Sequence, residues 1–234
     1  FHQEPVGRHT VHICNAIVEE MHGADQIANA FQQELGISFG EVTSDGLFSL
    51  HHTPCIGMSD QAPSALIDGT PITGLLPGDV PKLVQALKNG EPIDRLGQVD
   101  ANLRQSGAVI FASYEPNAGL RKALEQTPEQ IIQVMNQARL RGRGGAGFPI
   151  ALKWDFCRKA QGKAHYIICN ADEGEPGTFK DRVILTECPD LLFEGMTIAG
   201  YAIGASQGFL YLRGEYAYLY EFLESVLETR RSNG

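Results

Sequence analysis

The amino-acid sequence predicts an α/β protein in two parts, and three observations carry this prediction. Strand-like and helix-like stretches alternate along the chain, as they do in open sheets covered by helices. The apolar run at residues 165–169 is typical of a strand buried in a parallel sheet. Residues 93–126 are broken by glycines and prolines and are predicted to be a linker. This linker divides an N-terminal domain, residues 1–92, from a C-terminal domain, residues 127–234, for which an open, mostly parallel sheet is expected.

The N-terminal part has the order of elements found in small thioredoxin-like domains. Residues 10–14 alternate as a strand, and a helix with one apolar face follows, with Gly36 as its C-terminal cap. Strands are predicted at residues 47–51 and 64–67, and a final helix at residues 80–88. The resulting order, strand–helix–strand–strand–helix, predicts a thioredoxin-like domain.

The C-terminal part carries clear signals for the starts of helices. Thr127, Pro128 and Gln130 have the spacing of a capping box, in which side chains satisfy the first N–H groups of a helix. This helix is predicted to end at Gly142, and the next one to have Pro149 as its first residue. The remaining predicted elements are a helix capped by Asp190, a strand at residues 208–212 and a helix at residues 217–229.

Composition excludes several classes of function. The 234 residues carry a net charge of −9, which argues against a nucleic-acid partner. The five cysteines, an odd number, favour a reducing compartment, and we predict a cytoplasmic location. Residues 191–206 form the longest apolar stretch, but Glu194 interrupts it and it is too short for insertion into a membrane. Because the chain starts at Phe1 rather than at methionine, we expect it to begin inside a longer polypeptide.

Two unusual loops lie within residues 141–182. The first, residues 142–147, has four glycines, so its backbone can lie against a flat or phosphorylated ligand. The second, residues 170–177, is acidic and follows the predicted strand at residues 165–169, where ligands of open α/β sheets bind. Each loop has a plainer interpretation, because Arg-Gly sequences also occur in flexible RNA-contacting segments and acidic loops are usually only solvated.

Four sequence runs give these loops a family resemblance. They are RGRGGAGF at residues 141–148, LKW at 152–154, CNADEGEPGTFKDR at 169–182 and YLRGEY at 211–216. In this order and spacing they resemble the flavin-binding domain of the NADH-oxidising subunit of respiratory complex I. That family includes the diaphorase subunits of NAD-reducing hydrogenases and of NAD-dependent formate dehydrogenases.

The resemblance implies FMN and NAD as cofactors. The implied cofactor-binding residues are Gly142, Arg143, Gly144, Gly145, Gly147, Phe148, Lys153, Phe156, Asn170, Asp172, Glu173 and Glu175. The glycines would admit the flavin ring, and Lys153 would offset phosphate charge. Carboxylates and amides suit the ribityl hydroxyls because they accept hydrogen bonds, which is the role implied for Asn170, Asp172 and Glu173.

The remaining implied roles concern NAD. Glu175 resembles the acid on the nicotinamide side and is the one residue predicted to be catalytic. Phe148 and Phe156 resemble aromatic residues that stack on the adenine. Without the resemblance, Phe156 would be interpreted as a core residue, Lys153 as a surface cation and the glutamates as solvated charges. The run at residues 213–216 is interpreted as strand-to-helix turn chemistry rather than catalysis.

The N-terminal part resembles the 2Fe-2S ferredoxin domain that accompanies the flavin subunit in these enzymes. Cys14 and Cys55 match two of the four ligand positions of that domain, but Glu19 and Ser59 occupy the other two. Carboxylate and hydroxyl groups are poor ligands for soft iron–sulfur sites. We therefore predict no metal site here and a structural role for both thiols, with an unusually ligated cluster as the alternative.

A degenerate ferredoxin domain fused ahead of the flavin domain resembles the flavoprotein subunit of NAD-reducing nickel–iron hydrogenases. The resemblance implies hydride exchange between NAD and FMN, with electrons passing through iron–sulfur clusters to or from a hydrogenase module. Those clusters, and the Gly-Glu-Glu segment that completes the family's pocket, are expected outside this chain or in partner subunits of a hetero-oligomer. The alternatives are the same chemistry in a formate dehydrogenase or complex I, and a non-catalytic assembly module.

Overall fold

In the computed structural model, the described residues are 6–93, 96, 99–103, 107 and 109–233. The chain folds into two compact units. The first consists of Phe1–Arg104, Asp172–Thr186 and Arg213–Glu221, and the second of Gln105–Ala171, Glu187–Leu212 and Phe222–Gly234. The division at residues 92 and 127 stays a prediction about sequence domains. By its contacts, the first unit gathers two segments from far along the chain in addition to the N-terminal residues.

The elements alternate between strands and helices, which confirms the predicted α/β class. In chain order they are β1 (His9–Cys14), α1 (Ile17–Met21), α2 (Ala24–Leu35), β2 (Phe48–Thr53), β3 (Ala65–Ile67), β4 (Thr70–Ile72), α3 (Val80–Lys88), α4 (Ala118–Leu124), α5 (Pro128–Gln137), α6 (Ile150–Lys159), β5 (His165–Ala171), α7 (Lys180–Glu187), α8 (Pro189–Ile203), β6 (Ala205–Leu212) and α9 (Tyr220–Ser232). Short 3-10 helices lie at Ser59–Gln61, Pro77–Asp79 and Gly214–Leu219.

The first unit is built on a mixed sheet with the strand order β2-β1-β3-β4. β1 pairs with β2 in parallel and with β3 in antiparallel orientation, and β3 pairs with β4 as a hairpin. Side chains of β1 and β2 interlock with α2 and α3 in one apolar core. Its fully buried members include Val11, Ile13, Ile27, Phe31, Phe48, Leu50, Ile67 and Val84. Each such side chain contributes roughly 1.5–3 kcal/mol through its removal from water.

The predicted elements of the N-terminal part are confirmed, with two additions. α1 has five residues and β4 has three, so neither is long enough to show its own hydrophobic period. α2 ends at Gly36, which adopts the left-handed conformation predicted for a C-cap (φ +65°). The helix at residues 80–88 has the predicted bounds.

The second unit contains the parallel pair β5 and β6, with α8 packed on one face. Burial alternates along β5, so the prediction of a fully buried strand is wrong among the described residues. Ile167 lies towards Gly200 of α8, whereas Ile168 and Phe209 of the opposite face are more than half exposed. Within the part of the chain that the structure describes, no helix combines the length and apolarity needed to cross a membrane.

One predicted helix end moves by several residues. α5 stops at Gln137 rather than at Gly142, because Arg139 takes the left-handed conformation (φ +51°). The N–H of Arg139 then donates to Asn136 O and that of Leu140 to Met135 O, which closes the last turn without a glycine. No local sequence signal indicates an arginine in this conformation.

The starts of three later helices also differ from prediction. Pro149 is the N-cap of α6 rather than its first residue. α8 begins at Pro189 with Cys188 as N-cap, and the carboxylate of Asp190 instead accepts from Arg230 Nη1 at 3.2 Å. The last helix begins at Tyr220, because the preceding residues form a 3-10 helix.

The capping box that opens α5 is confirmed and yields a stability prediction. Thr127 Oγ1 accepts from Gln130 N, and Gln130 Oε1 accepts from Thr127 N at 2.8 Å. Thr127→Ala is expected to lower the free energy of unfolding by about 1 kcal/mol, because one N–H of the first turn loses its partner. Thr127→Ser keeps the acceptor and is the control. Equal urea midpoints for Thr127→Ala and the unchanged chain would contradict the prediction.

Candidate functional site

The glycine-rich loop is a short hairpin with a bare tip. Arg141 and Pro149 form an isolated antiparallel bridge, and Gly142 N donates to Phe148 O at 2.9 Å. Arg141 Nη1 also donates to Gly147 O at 2.9 Å, and Gly147 has a left-handed φ of +70°. At Gly144 and Gly145 an added Cβ would meet nothing within 4 Å. The base of the loop is therefore fixed by hydrogen bonds, and its tip offers peptide groups without side chains.

Aromatic and basic side chains project from the loop and from α6. Phe148 is 49% exposed and Phe156 is 58% exposed, although both are large apolar side chains. Lys153 is exposed and lies three residues before Phe156, on the same side of α6. Trp154 instead packs against the apolar cluster of Ala123, Ile131 and Ala202. Trp154 is therefore a core residue, whereas the core interpretation of Phe156 does not hold, because its side chain is exposed.

The carboxyl end of β5 leads directly into the acidic loop. Asn170 lies on the exposed face of β5, in register with Tyr211 of β6. Asp172 and Glu175 are exposed. The backbone carbonyl of Glu175 accepts from Thr178 Oγ1 at 2.7 Å and from Thr178 N, which closes a tight turn. The two carboxylates thus reach solvent from a backbone that is hydrogen-bonded.

Glu173 differs from its neighbours because it is buried. Its Oε1 accepts from Asp181 N at 2.9 Å, and its Oε2 accepts from Arg182 N at 3.2 Å. Tyr216 Oη also donates to Oε2 at 3.0 Å. Glu173 therefore closes the N-terminus of α7, where a negative charge is favourable. Its predicted contact with the ribityl chain stays a prediction, and both of its carboxylate oxygens already have protein donors.

Sequence reasoning missed the importance of Arg213 and Tyr216. The turn interpretation of the run at residues 213–216 gives neither side chain a special place, yet Arg213 is 5% exposed and Tyr216 is fully buried. The signal that points to them is their place in YLRGEY, one of the four runs that carry the resemblance. Arg182, at the end of another such run, is also fully buried and pairs with Asp60 Oδ1 at 2.6 Å.

The four positions of the ferredoxin-type site do not fit a 2Fe-2S cluster. Glu19 is buried and its carboxylate accepts from Ser64 N at 2.8 Å and from Ser64 Oγ at 2.9 Å. Burial, with a smaller contribution from the nearby Glu19 carboxylate, raises the pKa of the Cys14 thiol to about 11. Cys55 Sγ lies 3.5 Å from Ser59 Oγ. A neutral thiol and an engaged carboxylate are not the thiolate set that such a cluster requires.

Among the described residues, no group of three or more His, Cys, Asp or Glu side chains is placed to hold a metal ion. Burial also raises the pKa of Glu19, and the hydrogen bonds from Ser64 oppose this rise only in part. The structural role of the Cys14 and Cys55 thiols stays a prediction.

Comparison with known proteins finds close relatives along the whole chain. It is 44% identical over 253 aligned residues to the protein named NAD-reducing hydrogenase HoxS subunit alpha from Cupriavidus necator, covering all of this chain and 42% of that protein. It is 48% identical over 129 residues to an NADH-quinone oxidoreductase subunit of Rhizobium meliloti, covering 53% of this chain and 31% of the relative. The chain thus spans less than half the length of either relative.

A solved structure has the same fold. The crystal structure of NAD+-reducing NiFe-hydrogenase in the H2-reduced state matches with a TM-score of 0.91 and 38% identity. The match covers 98% of this chain and 41% of that chain.

The ligand set of the ferredoxin-type site can be tested by restoring it. The 234-residue chain, incubated anaerobically with ferrous iron and sulfide, is expected to gain no cluster. The double variant Glu19→Cys, Ser59→Cys supplies four thiols and is expected to gain the visible absorption and EPR signal of a 2Fe-2S centre. The matched control is Glu19→Ala, Ser59→Ala, which adds no thiol. Cluster signals in the unchanged chain would show that its own donors suffice.

The family matches agree with the two parts of the sequence. The family described as thioredoxin-like 2Fe-2S ferredoxin matches residues 1–88, and the family described as Nuo51 FMN-binding domain matches residues 135–234. Both matches run in the order predicted from the sequence. Residues 135–234 are therefore similar to the Nuo51 FMN-binding domain family, and residues 1–88, ahead of them, are similar to the thioredoxin-like 2Fe-2S ferredoxin family.

Proposed function

We propose that this chain is the N-terminal portion of the diaphorase subunit of an NAD-reducing nickel–iron hydrogenase. One observation supports this most strongly: the 44% identity to a hydrogenase alpha subunit runs through both the degenerate ferredoxin domain and the flavin domain. The NADH-quinone oxidoreductase relative aligns with only about half of the chain. A shared arrangement of both parts is a closer likeness than a shared flavin domain.

The glycine-rich loop suits the flavin side of this function. When bound, FMN would supply the two-electron exchange with NAD and the one-electron exchange with iron–sulfur centres. Gly142, Gly144, Gly145 and Gly147 leave peptide surface on which a planar ring can lie. Arg143 and Lys153 are exposed cations in the same unit and would neutralise the cofactor phosphate.

The acidic loop suits hydroxyl groups and a nicotinamide. Asn170 and Asp172 would accept or donate hydrogen bonds along the ribityl chain. Glu175 is exposed at the end of a fixed turn and would orient the nicotinamide carboxamide, whose N–H groups donate to a carboxylate. Phe148 and Phe156 are exposed in the second unit and would stack on the adenine.

The rest of the enzyme would lie outside this chain. Iron–sulfur clusters would be held in further sequence or in partner subunits, and the complex would be a cytoplasmic hetero-oligomer with a hydrogenase module. Complex I is the second candidate for the electron partner, because NADH-quinone oxidoreductase subunits of Rhizobium meliloti and Aquifex aeolicus are 48% and 50% identical over about half of this chain.

The decisive experiment is hydrogen-dependent reduction of NAD by the native complex purified through this chain. Formation of NADH under hydrogen, together with FMN in the sample, is expected. If hydrogen gives no NADH but added NADH reduces an artificial dye, the flavin site stands and the hydrogenase partner is wrong. If no flavin is bound and neither reaction occurs, the diaphorase function is wrong and the non-catalytic assembly module takes its place.

Glu175 allows a sharper test of the NAD site. Glu175→Ala is expected to lower kcat/KM for NADH roughly tenfold to a hundredfold, since one charge-assisted hydrogen bond is lost. The FMN content should remain that of the unchanged protein, because the side chain is exposed and the turn is closed by backbone groups. Glu91→Ala, an exposed acid in the same unit, is the control. Equal losses of flavin and of turnover would contradict the assigned role.

A further inference from the structure

The part of the acidic loop that follows β5, residues 172–177, is fixed at both ends to the segment that matches a cluster-ligand position of the ferredoxin family. At its start, Arg213 Nη1 donates to the backbone carbonyl of Glu173, and Arg213 Nη2 donates to the backbone carbonyl of Cys55. At its end, Gly177 N donates to Cys55 Sγ at 3.4 Å. Two separate routes of hydrogen bonding therefore connect the loop to one residue of the ferredoxin-like part, both within the first unit.

Arg213 is held so that it can make this bridge. Its Nε donates to Glu215 Oε2 at 3.0 Å, and its Nη2 lies 3.5 Å from Glu215 Oε1, so the guanidinium plane is set by a bidentate pair. The guanidinium carbon also lies 5.6 Å from the centre of the Tyr216 ring. With 5% of its surface exposed, Arg213 meets little competing water. A lysine has no fork and cannot reach two carbonyls in one plane.

Tyr216 fixes the side chain of the same glutamate whose carbonyl Arg213 holds. Its hydroxyl donates to Glu173 Oε2 at 3.0 Å. The ring reaches this position only because Gly57 has no side chain, since a Cβ there would collide with Tyr216 Oη. Gly57 N in turn donates to Cys55 Sγ at 3.4 Å. The segment 55–57 thus receives both the loop and the tyrosine that orients it.

We propose that Arg213 and Tyr216 are positioning residues for Glu175, and that Cys55 serves as the anchor of the acidic loop. This inference rests on the proposed function, because it concerns the NAD and FMN site of that function. Hydrogen bonds hold both the backbone carbonyl and the carboxylate of Glu173. The direction of the backbone on either side of Glu173 is therefore fixed by the buried residues Cys55, Arg213 and Tyr216. Asp172 and Glu175 are the exposed acids on this stretch of backbone. The ferredoxin-like segment is thereby a part of the acidic loop's scaffold.

A positioning role predicts changes in reaction rate that a role in stability alone does not predict. Reactions between bound groups depend steeply on geometry, and a displacement of about 1 Å can cost a hundredfold in rate. Loss of one buried hydrogen bond to Glu173 would let the loop sample other positions while the apolar core of the unit stays intact. Turnover would fall through Glu175, and the fall would depend on Glu175 being present.

The test uses Tyr216→Phe in the full-length subunit within its native complex. This variant keeps the ring and removes only the hydroxyl that donates to Glu173. We expect kcat/KM for NADH-dependent dye reduction to fall about tenfold. In a Glu175→Ala background the same substitution should have no further effect, because its route of action is already absent. Arg213→Lys, which removes the bridge, is the second variant and should behave in the same way.

Tyr218→Phe is the matched control, because Tyr218 lies on the same 3-10 helix and its hydroxyl is buried without a hydrogen-bond partner among the described residues. It should leave kcat/KM unchanged. The positioning role is overturned if Tyr216→Phe lowers the melting temperature but not kcat/KM, or if its effect adds in full to that of Glu175→Ala. A wild-type complex that binds FMN yet does not oxidise NADH overturns the proposed function, and the positioning role with it.

Discussion

The burial of the Glu173 carboxylate is the constraint on which the acidic loop depends. A carboxylate removed from water is costly unless donors replace its hydration. Here the donors come from α7, through Asp181 N and Arg182 N, and from the hydroxyl of Tyr216. These donors lie on two stretches of chain outside the loop. The hydrogen bonds to the Glu173 carboxylate therefore hold the loop and these two stretches together. The order of the loop is therefore set by electrostatics, because its own sequence is too polar to form a core.

In the ferredoxin-like part, hydrogen bonds hold positions that a metal cluster links in the ferredoxin family. An iron–sulfur cluster cross-links four chain positions, and a chain without it lacks those links. In this chain Glu19 accepts two hydrogen bonds from Ser64, and Cys55 Sγ accepts from Gly57 N and Gly177 N. The raised pKa of the Cys14 thiol keeps it neutral and compatible with burial. The positions are therefore tied into the fold by groups that need no iron.

Periodicity and capping signals are sufficient to predict most elements, including α2, α3 and the capping box at Thr127. Prediction fails where a local signal is absent: Arg139 ends α5 in a conformation that usually calls for glycine. Prediction from the sequence also fails at the candidate functional site, where the contacts join residues that are far apart in the chain. The hydrogen bond between Arg213 and the Cys55 carbonyl joins residues 158 positions apart, and no local pattern encodes such a pairing. The four motif runs locate the candidate residues, but not which of them are buried.

Neighbouring acids of the acidic loop differ in burial because the number of hydrogen-bond donors is limited. Once Glu173 takes the donors of α7 and Tyr216, Asp172 and Glu175 stay exposed at the surface. Two exposed carboxylates repel phosphate and attract hydroxyl and amide donors. In the proposed function, phosphate recognition would be left to the cations Arg143 and Lys153 and to the bare peptides of the glycine-rich loop.

The proposed cofactors carry groups of both kinds. A flavin mononucleotide has a phosphate at one end and hydroxyl groups along its ribityl chain, and a nicotinamide adds a carboxamide that donates hydrogen bonds. Cations alone would hold the phosphate but leave the hydroxyl and amide donors unpaired, and acids alone would repel the phosphate. In the proposed function, the cations Arg143 and Lys153 would meet the first demand, and the exposed acids Asp172 and Glu175 would meet the second.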